Sequence, residues 1–298
     1  MYDLIPVIVG PTGVGKTKAA FELAVRLNAE IISADAFQVY RGLPVGTAQP
    51  PKEYLEQVPH HLVGVRAPSE PWNAPLFAQE ARAVIDRLDH EGKRVVVVGG
   101  AGFYIQALLE GLPEGGAPTA EERERVSAEV MQKGPEGSHQ WLSSLDPAAA
   151  ARIHVNDTKR VCRALEKVLY PKPASSRFAP LGRERVRVIG LECPREELDK
   201  RLMARTRAMW EGGLLEEAAG LMAWGIPEAA NVWGAIGYRE AASYMRKEIT
   251  REEGIELMFR RTRQYAKRQW TWFRHHHDTE WHDSSIPVGD LGLYEVDL

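Results

Sequence analysis

Residues 4–35 read LIPVIVGPTGVGKTKAAFELAVRLNAEIISAD, and their reading decides the fold. Leu4 to Val9 is a short β-branched run that stops at Gly10, the pattern of a buried strand. Lys16 to Leu27 carries apolar residues at helical spacing (Ala19, Ala20, Leu23, Ala24, Leu27). Glu30 to Ser33 is a second short strand, running into Ala34 and Asp35. Between first strand and helix stand Gly10, Pro11, Thr12, Gly13, Val14, Gly15, Lys16 and Thr17, which fit GxxxxGK(S/T) at every position. Glycines let backbone N–H groups point into one concavity, the helix N-terminus adds positive potential, and Lys16 supplies a full charge. The Thr17 hydroxyl is placed to bind a magnesium ion that bridges phosphate oxygens. The plain alternative is a glycine-rich turn with a chance lysine. The flanking strand and helix favour a site for a pyrophosphate or a longer phosphate chain.

Outward from this segment, Val95 to Val98 is an apolar strand entering Gly99-Gly100, with a helix expected from Gly102 to Leu109. Strands alternating with helices imply crossover connections, hence an α/β fold with a P-loop NTPase-like parallel sheet and flanking helices. A small helical insertion interrupts it at 111–150. It opens with the hinge LPEGGAP, continues through a capping box (Thr119 with Glu122) and a second helix at Ser138 to Leu145, and restarts at Asp146-Pro147. The chain therefore divides into a first part of the core (1–110), the insertion (111–150) and a second part of the core (151–298). Asn156 to Leu169 reads as helix, Val186 to Leu191 as one more strand, and nearly everything from Arg195 as helix. Thr250 and Glu253 cap a long helix that runs to about Arg274.

Composition narrows the class. The 298 residues, 44% hydrophobic and 27% charged, are ordinary for a globular protein and long enough for roughly two domains. Two cysteines without CxxC spacing exclude a disulfide framework and argue against structural zinc. No leader and no apolar stretch long enough for a membrane is evident, so the expected location is cytoplasmic. The net charge of −3 does not announce a polyanion binder, yet Phe259 to His277 holds six Arg/Lys, three histidines and no acid. On the C-terminal helix, Ile255, Met258, Phe259, Thr262, Tyr265, Ala266, Gln269, Trp272 and Phe273 form the expected buried stripe. Arg260, Arg263, Lys267 and Arg274 fall on another face. His275-His276-His277 reads as a polar helix end, since consecutive histidines point apart.

A P-loop ATPase places a metal-binding acid at the end of a second apolar strand. Here that strand ends in Gly99-Gly100-Ala101-Gly102, and the strand-end acid is Asp35. At the carboxyl edge of a parallel sheet Asp35 faces the ligand crevice, where it can take a proton from an attacking O–H or N–H; a turn aspartate is the structural alternative. From these residues alone, a small-molecule kinase using Asp35 as base and a nucleotide-gated RNA-binding switch both remain open.

Further blocks are specific. SADAFQVYRGLPVGTAQP (33–50), PHHLVG (59–64), VVVGGAGFYIQALLEGL (96–112), ARIHVNDTKRVCRALE (151–166), AIGYRE (235–240) and RQYAKRQWTWFR (263–274) follow the P-loop in an order that resembles the tRNA dimethylallyltransferase family over most of residues 4 to 282. The resemblance implies transfer of a dimethylallyl group from dimethylallyl diphosphate to the exocyclic amine of adenine 37, with Mg2+ on Thr17 and the partners tRNA anticodon stem-loop and prenyl diphosphate, in a monomer. It makes Asp35, Lys16, Thr17 and Arg205 catalytic, with Arg205 and residues 10–17 holding the diphosphate. It puts Asp35, Ala36, Phe37, Gln38 and Ala101 near the target base. Arg123, Lys159, Arg160, Arg163, Tyr238, Arg239, Arg263, Lys267 and Arg268 would meet the rest of the RNA. The insertion would grip the anticodon stem. Two positions depart from the family: Ala36 stands where serine is usual and Ala101 where threonine is. Each loses a hydroxyl, worth about 0.5–1.5 kcal/mol for a single hydrogen bond.

Overall fold

The computed structural model describes residues 4–111, 118–171, 179–276 and 278–287. β1 (Ile5–Val9) is buried along its whole length because it lies inside the sheet, with a parallel neighbour on each side. α1 (Lys16–Leu27) buries Ala19, Ala20, Leu23, Ala24 and Leu27, the stripe its sequence spacing requires. It stops where Asn28 turns left-handed at φ 49°. β2 (Ala29–Ala34), α2 (Lys52–Gln57), β3 (His60–His61), α3 (Ala74–His90), β4 (Arg94–Gly99) and α4 (Gly102–Glu110) complete the first half. After the helical insert come β5 (Val186–Glu192) and, beyond further helices, β6 (Glu280–Asp283).

The sheet order is β3-β2-β4-β1-β5-β6, and every pairing is parallel. Val7 faces Val97 on one side and Val188 on the other, so the carboxyl ends of β1, β4 and β5 open on one edge. Gly10 is required there: its φ is +138°, and a Cβ would come within 2.4 Å of the Leu191 carbonyl oxygen. Ile8, Ile31, Val96 and Ile189 pack with the buried face of α1 into one core cluster, which anchors both ends of the P-loop. Two strands escaped the sequence reading. His60–His61, quoted above only within the PHHLVG block, is itself a strand, and Glu280–Asp283 lies in a region read as helix. With two and four residues, they are too short to show a hydropathic period.

A smaller unit spans Leu112–Arg177, and the larger one comprises Met1–Gly111 with Phe178–Leu298. In the smaller unit α5 (Ala120–Leu145) begins with the expected capping box and is broken at Gly134 (φ 68°) before Pro135, which separates its two expected helices. α6 (Pro147–Ala150) and α7 (Thr158–Leu169) follow, capped by Asp146 and Asp157. The sequence boundary at 150 differs from this division. Val161 and Leu165 of α7 share a core with Val126, Val130, Leu142 and Ala150, so α7 belongs to the insert. Most of the LPEGGAP hinge lies outside the described residues. The larger unit ends with α8 (Arg195–Glu211), α9 (Leu214–Ala223), α10 (Tyr238–Met245) and α11 (Arg251–His276). α11 buries Ile255, Met258, Thr262, Ala266, Gln269 and Phe273, with Phe259, Tyr265 and Trp272 half-buried beside them.

Candidate active site

The loop between β1 and α1 and the carboxyl end of β2 border a cavity of about 360 Å³. Thr12, Gly13, Gly15, Lys16 and Thr17 line it together with Asp35, Gln38 and Arg205. Gly10, Pro11 and Val14 are buried beneath the loop and shape it from below. The Lys16 ammonium donates to the Pro11 carbonyl at 2.8 Å, closing the loop on itself. Arg205, reaching in from α8, donates to the Thr12 hydroxyl at 2.8 Å. Thr12 also donates its backbone N–H to Gln269 Oε1 at 2.8 Å, while Gln269 Nε2 donates to the Gly100 carbonyl at 2.9 Å. A glutamine inside the apolar stripe of α11 thus ties the P-loop to the end of β4. Its polarity among buried neighbours is the signal that sequence reading passed over.

Asp35 sits where β2 ends. Its Oδ1 accepts the backbone N–H groups of Phe37 (2.8 Å) and Gln38 (3.2 Å), so the turn orients the carboxylate while Oδ2 makes no hydrogen bond among the described residues. The turn-aspartate reading is therefore observed, and it leaves Oδ2 available for the functional one. Burial pushes the Asp35 carboxyl above its usual range, against the opposing pull of those two amides, Lys16 and Arg205. Burial, helped by the Arg205 charge, brings the Lys16 ammonium down to about 7, with Asp35 resisting.

A second cavity of about 580 Å³ adjoins the first, the two sharing Thr12, Asp35, Thr47, Ala48, Arg205 and Tyr265 as walls. Ala36, Phe37 and Arg268 line it. Asp35 and Arg205 therefore stand between a polar compartment floored by backbone amides and a larger one walled by Phe37, Met209, Ile236 and Met258.

The remaining expected residues fall in three places. Ala101 is the N-cap residue of α4, beside Gly99 and Gly100, and lines neither cavity. Arg263 and Lys267 are exposed on α11, and Arg263 is paired with Asp199 at 3.3 Å. Lys159, Arg160 and Arg163 are exposed on α7, in the same unit as half-buried Arg123. Tyr238 corrects the expectation of RNA contact: it is fully buried, and its hydroxyl donates to Glu217 at 2.8 Å. Arg239 is exposed but spends its guanidinium on the carbonyls of Trp233 and Glu228. Arg274 is stacked on Trp270 and Trp281 and paired with Glu192, a brace between α11 and the sheet. His275 and His276 bond back to helix carbonyls, as a polar helix end should. His60, which had no assigned role, lines the first cavity, as do Tyr54 and Pro51.

Fold and site together define a P-loop-like enzyme with an acid between two compartments. A family profile described as IPP transferase matches residues 38–276, and one described as isopentenyl transferase matches residues 4–70. The chain is 41% identical to a tRNA dimethylallyltransferase of an Exiguobacterium species, over 98% of this chain and 94% of that protein. It is 39% identical to the enzyme of the same name from Geobacillus thermodenitrificans, over 96% and 92%. A solved tRNA isopentenylpyrophosphate transferase from Bacillus halodurans matches with a TM-score of 0.69 at 38% identity, over 95% of this chain and 90% of that one. A eukaryotic dimethylallyltransferase solved acting on tRNA gives a TM-score of 0.73 at 27% identity, over 95% and 74%. The chain belongs to the tRNA dimethylallyltransferase family, and its reaction class is the prenylation of tRNA. A small-molecule kinase is not favoured. Among the described residues no helix is long and apolar enough to cross a membrane.

Proposed function

We propose that this chain transfers the dimethylallyl group of dimethylallyl diphosphate to the exocyclic amine of adenine 37 in the tRNA anticodon loop. What carries the reading is Asp35, standing between a P-loop compartment and an adjoining cavity. The diphosphate lies against the loop amides, Lys16 and Arg205. The adenine leaves its stack and enters beside Ala36, Phe37 and Gln38. The amine nitrogen bonds to C1 of the prenyl group as the bond from C1 to the diphosphate oxygen breaks. The amine proton passes to the Asp35 carboxylate, and diphosphate departs into the cationic cradle, which stabilises its developing charge.

Among the described residues no three His, Cys, Asp or Glu side chains group into a metal cage. Thr17, a neutral oxygen donor on the cavity wall, fits Mg2+ and would hold it beside the diphosphate. Bound there, the ion would offset charge on the leaving group. The anticodon stem is read as meeting the phosphate-seeking residues Lys159, Arg160, Arg163 and Arg123 of the insert, with Arg263, Lys267 and Arg268 of α11 contacting the RNA from the core. The reading is of a monomer working in the cytoplasm.

The test is label transfer from dimethylallyl diphosphate to an unmodified anticodon stem-loop in the presence of magnesium, beside an ATP-hydrolysis control. RNA labelling without ATP consumption is expected. Asp35→Ala should lower the rate by about 10²–10⁴-fold, the usual worth of a general base, with RNA affinity nearly kept. ATP turnover stimulated by a small acceptor, without RNA labelling, would overturn the reading.

A further inference from the structure

Residues Gly46 to Ala48 wall the site, and something must hold them. Thr47 and Ala48 border both cavities, and Gly46 borders the second. The loop bonds locally, Thr47 Oγ1 to the Leu43 carbonyl at 2.6 Å and Gln49 N–H to the Pro44 carbonyl at 2.9 Å. Ala48 is held left-handed at φ 52°, a conformation costly for a residue with a Cβ unless its surroundings impose it.

Two distant helices hold the start of this loop. Glu217 of α9 accepts the Val45 N–H on Oε1 at 2.6 Å and the Gly46 N–H on Oε2 at 2.8 Å. Tyr238, at the start of α10, donates its hydroxyl to the same Oε2 at 2.8 Å. Its ring lies so close to Gly46 that a Cβ there would come within 2.5 Å. Neither Glu217 nor Tyr238 lines a cavity. The chain of bonds continues toward the chemistry. The Ala48 carbonyl accepts from Gln38 Nε2 at 2.9 Å, Gln38 Oε1 accepts from the Ser33 hydroxyl at 2.8 Å, and the Gln38 N–H donates to Asp35 Oδ1.

We propose that Glu217 and Tyr238 are positioning residues that clamp the 45–48 loop as the acceptor wall and, through Gln38, fix the orientation of the Asp35 carboxylate. The clamp rests on the prenyl-transfer reading for its effect on rate, but not for its effect on the loop. It acts on the 45–48 loop and the Asp35 turn, while the P-loop itself is held separately by Gln269 and Arg205. Burial and the Glu217 charge push the Tyr238 hydroxyl well above its usual range, which keeps it a donor.

Tyr238→Phe keeps the ring against Gly46 and removes one donor; Glu217→Gln keeps the shape and removes the charge. With labelled dimethylallyl diphosphate and an anticodon stem-loop, Tyr238→Phe should lower kcat by about tenfold and Glu217→Gln by about 10²-fold, the range for hydrogen bonds to a charged group. The rising limb of the pH–rate profile, set by Asp35, should move in both variants, while the Kd for inorganic pyrophosphate stays within about twofold of wild type. Amide exchange at Val45 to Ala48 should quicken in both variants. An unchanged kcat and pH limb, or a loss of pyrophosphate affinity matching the loss of kcat, would overturn the proposal. If wild type itself transfers no label, the prenyl-transfer reading fails. Exchange at 45–48 then still decides the clamp: quickened in the variants, it stands; unchanged, it falls.

Discussion

The cations at the two faces of this molecule are built in opposite ways. Lys16 and Arg205 are half-buried on a cavity wall, each already bonded to the P-loop that it serves. Lys267 and Arg263 stand exposed on α11, and Arg263 is partly neutralised by Asp199. A desolvated cation interacts strongly with one fixed ligand and is costly to keep charged without it, whereas an exposed one contributes modestly and is screened by salt. The inner pair suits a small, doubly anchored diphosphate. The outer pair suits a long polyanion met at many weak points.

This contrast is most exposed to refutation at Lys16. Burial brings its ammonium to about 7 in the free enzyme, and a bound diphosphate must pull that value up. Binding above that pH therefore takes up a proton, and affinity falls by about tenfold per pH unit as pH rises beyond it. As the proposed base, Asp35, with its carboxyl pushed up, must lose its proton, so rate should rise with pH through its own titration. kcat/KM for the diphosphate should be bell-shaped, with a falling limb near 7 that is absent from kcat, which reports the loaded enzyme. Lys16→Met should weaken pyrophosphate binding by about 10²-fold and abolish that limb. A falling limb that survives the substitution would assign it to another group and remove the distinction between desolvated and exposed cations.

How legible each region was in the sequence follows the same division. The proposed phosphate end is written in consecutive residues, because a single turn supplies its backbone amides, so 10–17 forms a local pattern. β1, α1, β2 and β4 were legible for a related reason: each carries its own period or apolar run. The acceptor wall is assembled across the chain, by Glu217 on Gly46 and Tyr238 beneath it, and pairing at such separation leaves no local pattern. Hence the resemblance, which puts Tyr238 against the RNA, does not show that it is buried. Family likeness marked its block as important without saying which side of it faced the solvent. The boundary at 150 failed similarly, since only the shared core of α5 and α7 shows where α7 belongs.

Salt dependence sharpens the outer half of the comparison. RNA affinity measured against salt should have a steep slope, and Lys267→Ala should reduce its magnitude by about one, the change for one lost phosphate contact. Arg263→Ala should reduce it by less, because Asp199 already offsets part of that charge. Equal effects would mean that RNA displaces Asp199 on binding. No effect from either would take α11 out of the RNA interface and leave only the insert.

The smallest expected effect lies at the border between the two ends. Ala101 begins α4 without a side-chain cap, beside Gly99 and Gly100 of the phosphate cavity. A threonine hydroxyl there can accept one of the free amides of the first turn, which typically stabilises by about 0.5–2 kcal/mol. Ala101→Thr should therefore raise thermal stability, with kcat and the Kd for pyrophosphate and RNA all within about twofold of wild type, since a surface-side hydroxyl outside both cavities has no substrate atom to bond. A gain in RNA affinity or in kcat would instead carry the acceptor end past the walls described by Asp35 and Phe37, as far as the first turn of α4. Gly100, whose position is set by Gln269, would then be shared by donor and acceptor, and the two ends would be one continuous surface rather than two independently held compartments.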